Sequence, residues 1–111
     1  MPAPDSNRRY LHELRCAAKR ADYAAIVVGY ERQTRFVWSM GGDPGTKLQA
    51  LIDAGGRPMA ILGARVIGNA FLYSLTPFPE YEKCPGVQAY LAAIGEEVTR
   101  VLEERVKASR N

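Results

Sequence analysis

The apolar positions of this chain change period several times, and each change marks an element. From Ser6 to Asp22 the residues Tyr10, Leu11, Leu14, Ala17, Ala18 and Ala21 recur at steps of three and four, which stacks them on one face of a helix. Asp5 or Ser6 stands where an N-cap would accept from the first free amides. Tyr23 to Glu31 is then dense in β-branched and aromatic residues, as strands prefer. Thr34 to Met40 resumes that pattern after a polar interruption at Arg32 and Gln33. The reading is a hairpin whose turn lacks a favoured glycine, with Phe36, Trp38 and Met40 on one face of its second strand.

Asp43 before Pro44 predicts a helix start, because the carboxylate caps and proline at the first helical position loses no needed hydrogen bond. Leu48, Leu51 and Ile52 give that helix its apolar face, and Gly55-Gly56 ends it. Arg57 to Ile67 and Ala70 to Thr76 read as strands joined by a Gly68-Asn69 turn. Folding there sets Val66 opposite Phe71, Ala64 opposite Tyr73 and Leu62 opposite Leu75. One face becomes almost wholly apolar, and that fixes the register. Three prolines between Pro77 and Gly86 predict an irregular loop. From Val87 to Lys107 the helical period returns as one helix, with Val87, Tyr90, Leu91, Ile94, Val98, Val101 and Leu102 in a stripe. Its other face pairs Glu96 with Arg100 and Glu103 with Lys107 at the i, i+4 spacing.

The order α-β-β-α-β-β-α predicts a single α+β domain over 1–111, with a flexible 1–5 and a frayed 108–111. Its core is expected to be a four-stranded, largely antiparallel sheet packed by helices. Two points stay open: whether the third strand returns parallel or antiparallel, and whether Gly63 marks a bulge or a break.

Length and composition narrow the class. The 111 residues, 47% hydrophobic and 24% charged, fit one ordinary globular domain and not a disordered chain. No apolar run approaches the roughly 20 residues that span a bilayer. The first ten residues lack the apolar core of a signal peptide. The two cysteines, Cys16 and Cys84, are too few for a disulfide scaffold and read as reduced thiols. A cytoplasmic location is the expectation.

Candidate chemistry is sparse. Gly41 to Lys47 lies between a strand and a helix, where amides can cradle a phosphate, but the spacing departs from GxxxxGK[ST] and Asp43 opposes an anion. His12 and Cys16 sit four apart, a metal-ligand spacing, with no second histidine and only Cys84 as another thiol. The pairs Glu80/Glu82, Glu96/Glu97 and Glu103/Glu104 read as solvated surface. No catalytic residue, cofactor or metal is therefore assigned, and the chain is read as a non-enzymatic protein.

Charge adds more. The net charge is +3, and residues 1–35 hold seven basic and four acidic side chains against five and six in residues 77–111. On a helical wheel Arg8, His12, Arg15 and Lys19 fall together opposite Leu14, with Arg9 and Arg20 on the flank. A positive face of this kind attracts polyanions or an acidic protein surface. Phe78 and Tyr81, in the proline-rich loop, are the candidate aromatic anchors of an interface.

The leading expectation is a small protein-interaction domain that occupies a partner protein's surface through Arg8, Arg9, Arg15, Lys19, Phe78 and Tyr81. A homodimer through a sheet edge or a helix is part of that expectation. Base rates suggest a phage or mobile-element accessory protein, such as an inhibitor of a bacterial defence complex. The alternative is a nucleic-acid-binding module in which Arg32 and Arg35 join the basic stripe. A small-ligand or enzyme role at Gly41–Lys47 ranks third.

Overall fold

The structure is a computed structural model that describes the backbone of residues 4–110 and the side chains of residues 7–108. Helix α1 (Pro4–Arg20) leads into strands β1 (Tyr23–Tyr30) and β2 (Gln33–Trp38), then helix α2 (Pro44–Asp53). Strands β3 (Arg57–Ile67) and β4 (Ala70–Pro77) follow, then a 3-10 turn (Pro79–Tyr81) and helices α3 (Pro85–Ala93) and α4 (Gly95–Arg110). The strands make one antiparallel sheet in the order β2-β1-β3-β4, which settles the return of β3.

Strand β1 explains why helices cover both faces. Its side chains alternate sides, yet every residue from Ala24 to Val28 is at most 1% exposed. On one face Ala24, Ile26 and Val28 meet Tyr10, Leu14 and Ala17 of α1, Leu48 of α2, Val37 and Phe78. On the other, Ala25 and Val27 join Ala60, Leu62 and Ala64 beneath Leu91, Ile94, Val98 and Leu102. Each large buried aliphatic side chain contributes about 1.5–3 kcal/mol, so these two cores are the main stabilising force. The small Ala24 and Ala25 bring the helices close to the middle of the sheet. Gly56 makes a similar close approach: a Cβ there would lie 2.8 Å from the Leu51 carbonyl oxygen and 2.9 Å from Val28.

The β3–β4 register is the expected one: Val66 faces Phe71, Ala64 faces Tyr73 and Leu62 faces Leu75. Asp43 caps α2 as expected, accepting from the Gly45 amide at 3.0 Å and the Thr46 hydroxyl at 2.6 Å. The N-cap expected at Asp5 or Ser6 falls outside the described side chains, and α1 begins at Pro4. The readings for 1–5 and 108–111 fall at or beyond the edge of the described residues.

Several expectations need correction, and the point left open at Gly63 is decided. The first hairpin turns at Glu31-Arg32 rather than Arg32-Gln33, with Tyr30 paired to Gln33. Both turn residues have positive φ, 45° and 63°, as a two-residue turn matched to strand twist demands. Strand β2 ends at Trp38, so Met40 is an exposed loop residue and not part of the Phe36–Trp38 face. The sheet's irregularity lies between Val27 and Val28, opposite Pro58–Ala60, while Gly63 is regularly paired.

The last helix is two helices, because the chain bends at Ile94–Gly95, where a Cβ on Gly95 would lie 3.1 Å from the Tyr73 hydroxyl. On α4, Arg100 lies 3.9 Å from Glu97 and forms no ion pair with Glu96. The proline-rich segment is also more regular than expected. Pro77 ends β4, Pro79 opens the 3-10 turn and Pro85 opens α3.

Candidate functional site

Two helices cannot cover four strands evenly. On the α1/α2 face, α2 packs over β2 through Leu48, and α1 packs over β1 and β3 through Tyr10, Leu14 and Ala17. Strand β4 is left open on that face, and its exposure alternates strictly along its length. Ala70, Leu72, Ser74 and Thr76 point to solvent, while Phe71, Tyr73 and Leu75 pack on the core beneath α3 and α4. A groove of about 620 Å³ runs between α1 and β4. Ile61, Gly63, Leu72, Ser74 and Thr76 form its floor, and Phe78 and Pro79 close one end.

The groove has electrical polarity. Arg20 and Arg65 border the end nearest the β3–β4 turn, whereas Glu13 and Glu82 border the stretch toward Phe78. At that second end Arg9, Tyr10 and Glu80 lock α1 to the 3-10 turn. Arg9 donates to Glu80 at 2.6 Å, and the Tyr10 hydroxyl donates to the same carboxylate oxygen at 2.9 Å. The Arg9 guanidinium also lies 4.7 Å from the centre of the Tyr10 ring.

Partial burial pushes the Glu80 carboxyl up, but its own amide, Tyr10 and Arg9 outweigh that and hold it below the usual value. Burial, reinforced by the bond to Glu80, raises the Tyr10 hydroxyl. The hydrogen bond to Glu80 raises the Arg9 guanidinium.

The expected interaction residues therefore separate. Arg8, His12, Arg15 and Lys19 are all exposed, on the α1 face turned away from Leu14. Arg9 is no part of that free face, since its charge is engaged by Glu80. Phe78 is not a surface anchor: it is 2% exposed, with its ring edge-on to Tyr10 at 4.7 Å. Tyr81 is half-buried against the core under α3 and α4. Proline-rich flanks suggested exposure, but Phe78 follows β4 directly and turns inward as its amide bonds the Met59 carbonyl at 3.0 Å.

The other candidates keep to local roles. In the Gly41–Lys47 loop the Gly45 amide is taken by Asp43, the Lys47 ammonium donates to the Gly41 carbonyl at 3.1 Å, and Arg105 donates to the Met40 carbonyl at 2.5 Å. The Asp43 carboxyl is held below its usual value by the Thr46 hydroxyl and then the Gly45 amide. The His12 ring nitrogen lies 3.6 Å from the Cys16 sulfur on an exposed surface. Among the described residues no group of three or more potential metal ligands comes together. No helix among them is long and apolar enough to cross a membrane.

Sequence reasoning missed Glu13, Arg20, Arg65 and Leu72 as lining of a common groove. One signal was present. Leu72 is an apolar residue in the phase that otherwise holds Ala70, Ser74 and Thr76, and it is 64% exposed. Comparison of the chain with protein-family models, with curated proteins and with solved structures finds no match.

Proposed function

We propose that the chain is a protein-interaction domain that receives a segment of a partner protein along the groove between α1 and β4. The observation that supports this reading is the uncovered strip of sheet, an apolar floor around Leu72 and Ile61 between charged borders of opposite sign. An amphipathic segment fits such a surface. Its apolar side would lie on the floor, with acidic residues toward Arg20 and Arg65 and basic residues toward Glu13 and Glu82. Arg8, Arg15 and Lys19 would extend the contact over the outer face of α1 to an acidic partner surface.

The test is a tagged pull-down from native-host lysate with and without nuclease, repeated with Glu13→Lys/Arg20→Glu and with Arg15→Glu/Lys19→Glu. A stoichiometric protein that survives nuclease and is lost with the first variant supports the groove. Retention by both variants sinks the assignment of this face. A second reading is favoured by one observation: Arg8, Arg15 and Lys19 form no ion pair among the described residues. They would then contact nucleic-acid phosphates, and affinity would fall by about a decade or more between roughly 50 and 200 mM salt.

A further inference from the structure

Strand β4 is an edge strand, and its sequence Ala70–Pro77 contains no charged residue. Edge strands are ordinarily guarded by charge, bulges or cover, because their free amides and carbonyls are a template for another strand. The other edge, β2, carries Arg35 and is flanked by Lys47 and Glu97. The two edges of this sheet are therefore built differently.

The direction of the free groups on β4 follows from one bond. The Phe78 amide donates to Met59 of β3, so even-numbered backbone groups face inward and those of Phe71, Tyr73 and Leu75 face away from the sheet. Pro77, which has no N–H, falls on the outward phase, where its missing donor breaks no bond to β3. Outward donors and acceptors thus remain on three alternate residues in the middle of the strand.

We propose that β4 pairs antiparallel with β4 of a second copy, about a two-fold axis at Tyr73, to make one continuous eight-stranded sheet. In this register Tyr73 faces Tyr73 of the second copy, Phe71 faces Leu75, and on the groove side Leu72 faces Ser74. Phe71 and Leu75 are half-buried, and their remaining surface is covered as the apolar layer beneath α3 and α4 continues across the seam. Charge supports a second copy as the occupant. Antiparallel pairing brings the Arg20/Arg65 end of one groove toward the Glu82 end of the other, so the same patch is complementary to itself. The two grooves then lie side by side between the two α1 helices.

Sedimentation across a concentration series tests the proposal. The wild type is expected to be a dimer. Leu72→Lys with Ser74→Lys, both at exposed positions, sets like charges opposite each other across the seam and weakens dimerisation by on the order of a hundredfold or more. Leu72→Lys with Ser74→Glu sets opposite charges there and restores the dimer.

Amide exchange of the wild type gives a readout independent of any variant. Phe71, Tyr73 and Leu75 gain protection as concentration rises. A wild type that stays monomeric into the millimolar range overturns the proposal, as does a dimer indifferent to the double-lysine variant. Failure of the opposite-charge variant to recover overturns the register. A monomeric wild type leaves the partner groove standing, and groove variants that lose a partner yet remain dimeric leave this pairing standing.

Discussion

The two edges of the sheet began from similar material. Both β2 and β4 carry two or more aromatic or large aliphatic residues, and both belong to two-residue hairpins. Yet β2 is covered on both faces: Val37 is 1% exposed beneath α2, and Trp38 lies under Arg105 of α4 at 5.1 Å from the ring centre. Strand β4 is covered on one face only. The difference teaches where a layer of helices runs out. Helix α2 is anchored beside β2 by the short Asp43–Pro44 start, so the pair α1/α2 is displaced toward that edge and the opposite edge is left for other contacts.

The sharpest break in this comparison comes from leucines placed in the two environments. Leu48 is fully buried over β2, and Leu48→Ala is expected to cost about 2–5 kcal/mol by denaturant melt. Leu72→Ala, over β4, should stay within about 0.5 kcal/mol when measured on dilute protein. Equal losses would mean that β4 is covered in solution even in the monomer.

A smaller effect is expected at the β2 hairpin. Glu31 and Arg32 both occupy left-handed backbone, which Gly adopts without a Cβ clash and Asn tolerates better than Glu through local side-chain hydrogen bonding. Glu31→Asn with Arg32→Gly should stabilise the chain by about 1 kcal/mol, and an unchanged or lower melting midpoint would refute the turn geometry.

The smallest effect lies at the closed end of the groove. Glu80 is held below the ordinary glutamate value of 4.5 in the folded chain, so its contribution is fully present above that pH and fades as pH falls through the lower folded value. The ion pair is partly exposed, so Glu80→Gln should cost at most about 1 kcal/mol near neutrality. The gap between variant and wild type should close in acid. A gap that widens with acid would contradict the Arg9–Tyr10–Glu80 arrangement.

How much of this was legible in the sequence depended on whether the deciding contact was local. The β3–β4 register followed from Gly68-Asn69 and the alternation on either side, and the α2 start followed from Asp43-Pro44. Phe78 was misjudged because its burial depends on Tyr10, far away in the chain, and proline neighbours carry no information about that contact. The division between α3 and α4 was hidden as well. Leu91, Ile94, Val98 and Leu102 keep a helical period through the break, which shows only in the backbone at Ile94. The groove was illegible in principle to a reading of single elements, since it is the space that α1 and α2 fail to fill.

The seam between β1 and β3 has a kinetic consequence. Each outer pair, β1 with β2 and β3 with β4, is closed by a two-residue turn and requires only local chain closure. The partners Gly29 and Arg57 begin a seam that reaches back to Tyr23 and Ala64, so joining the hairpins must enclose β2 and all of α2 in one loop. Folding is then expected to be limited by the docking of two preformed hairpins. Conservative truncation at Ile26 or Leu62 should slow refolding more than truncation at Phe71, and the order of events would run from the two ends of the sheet toward its middle.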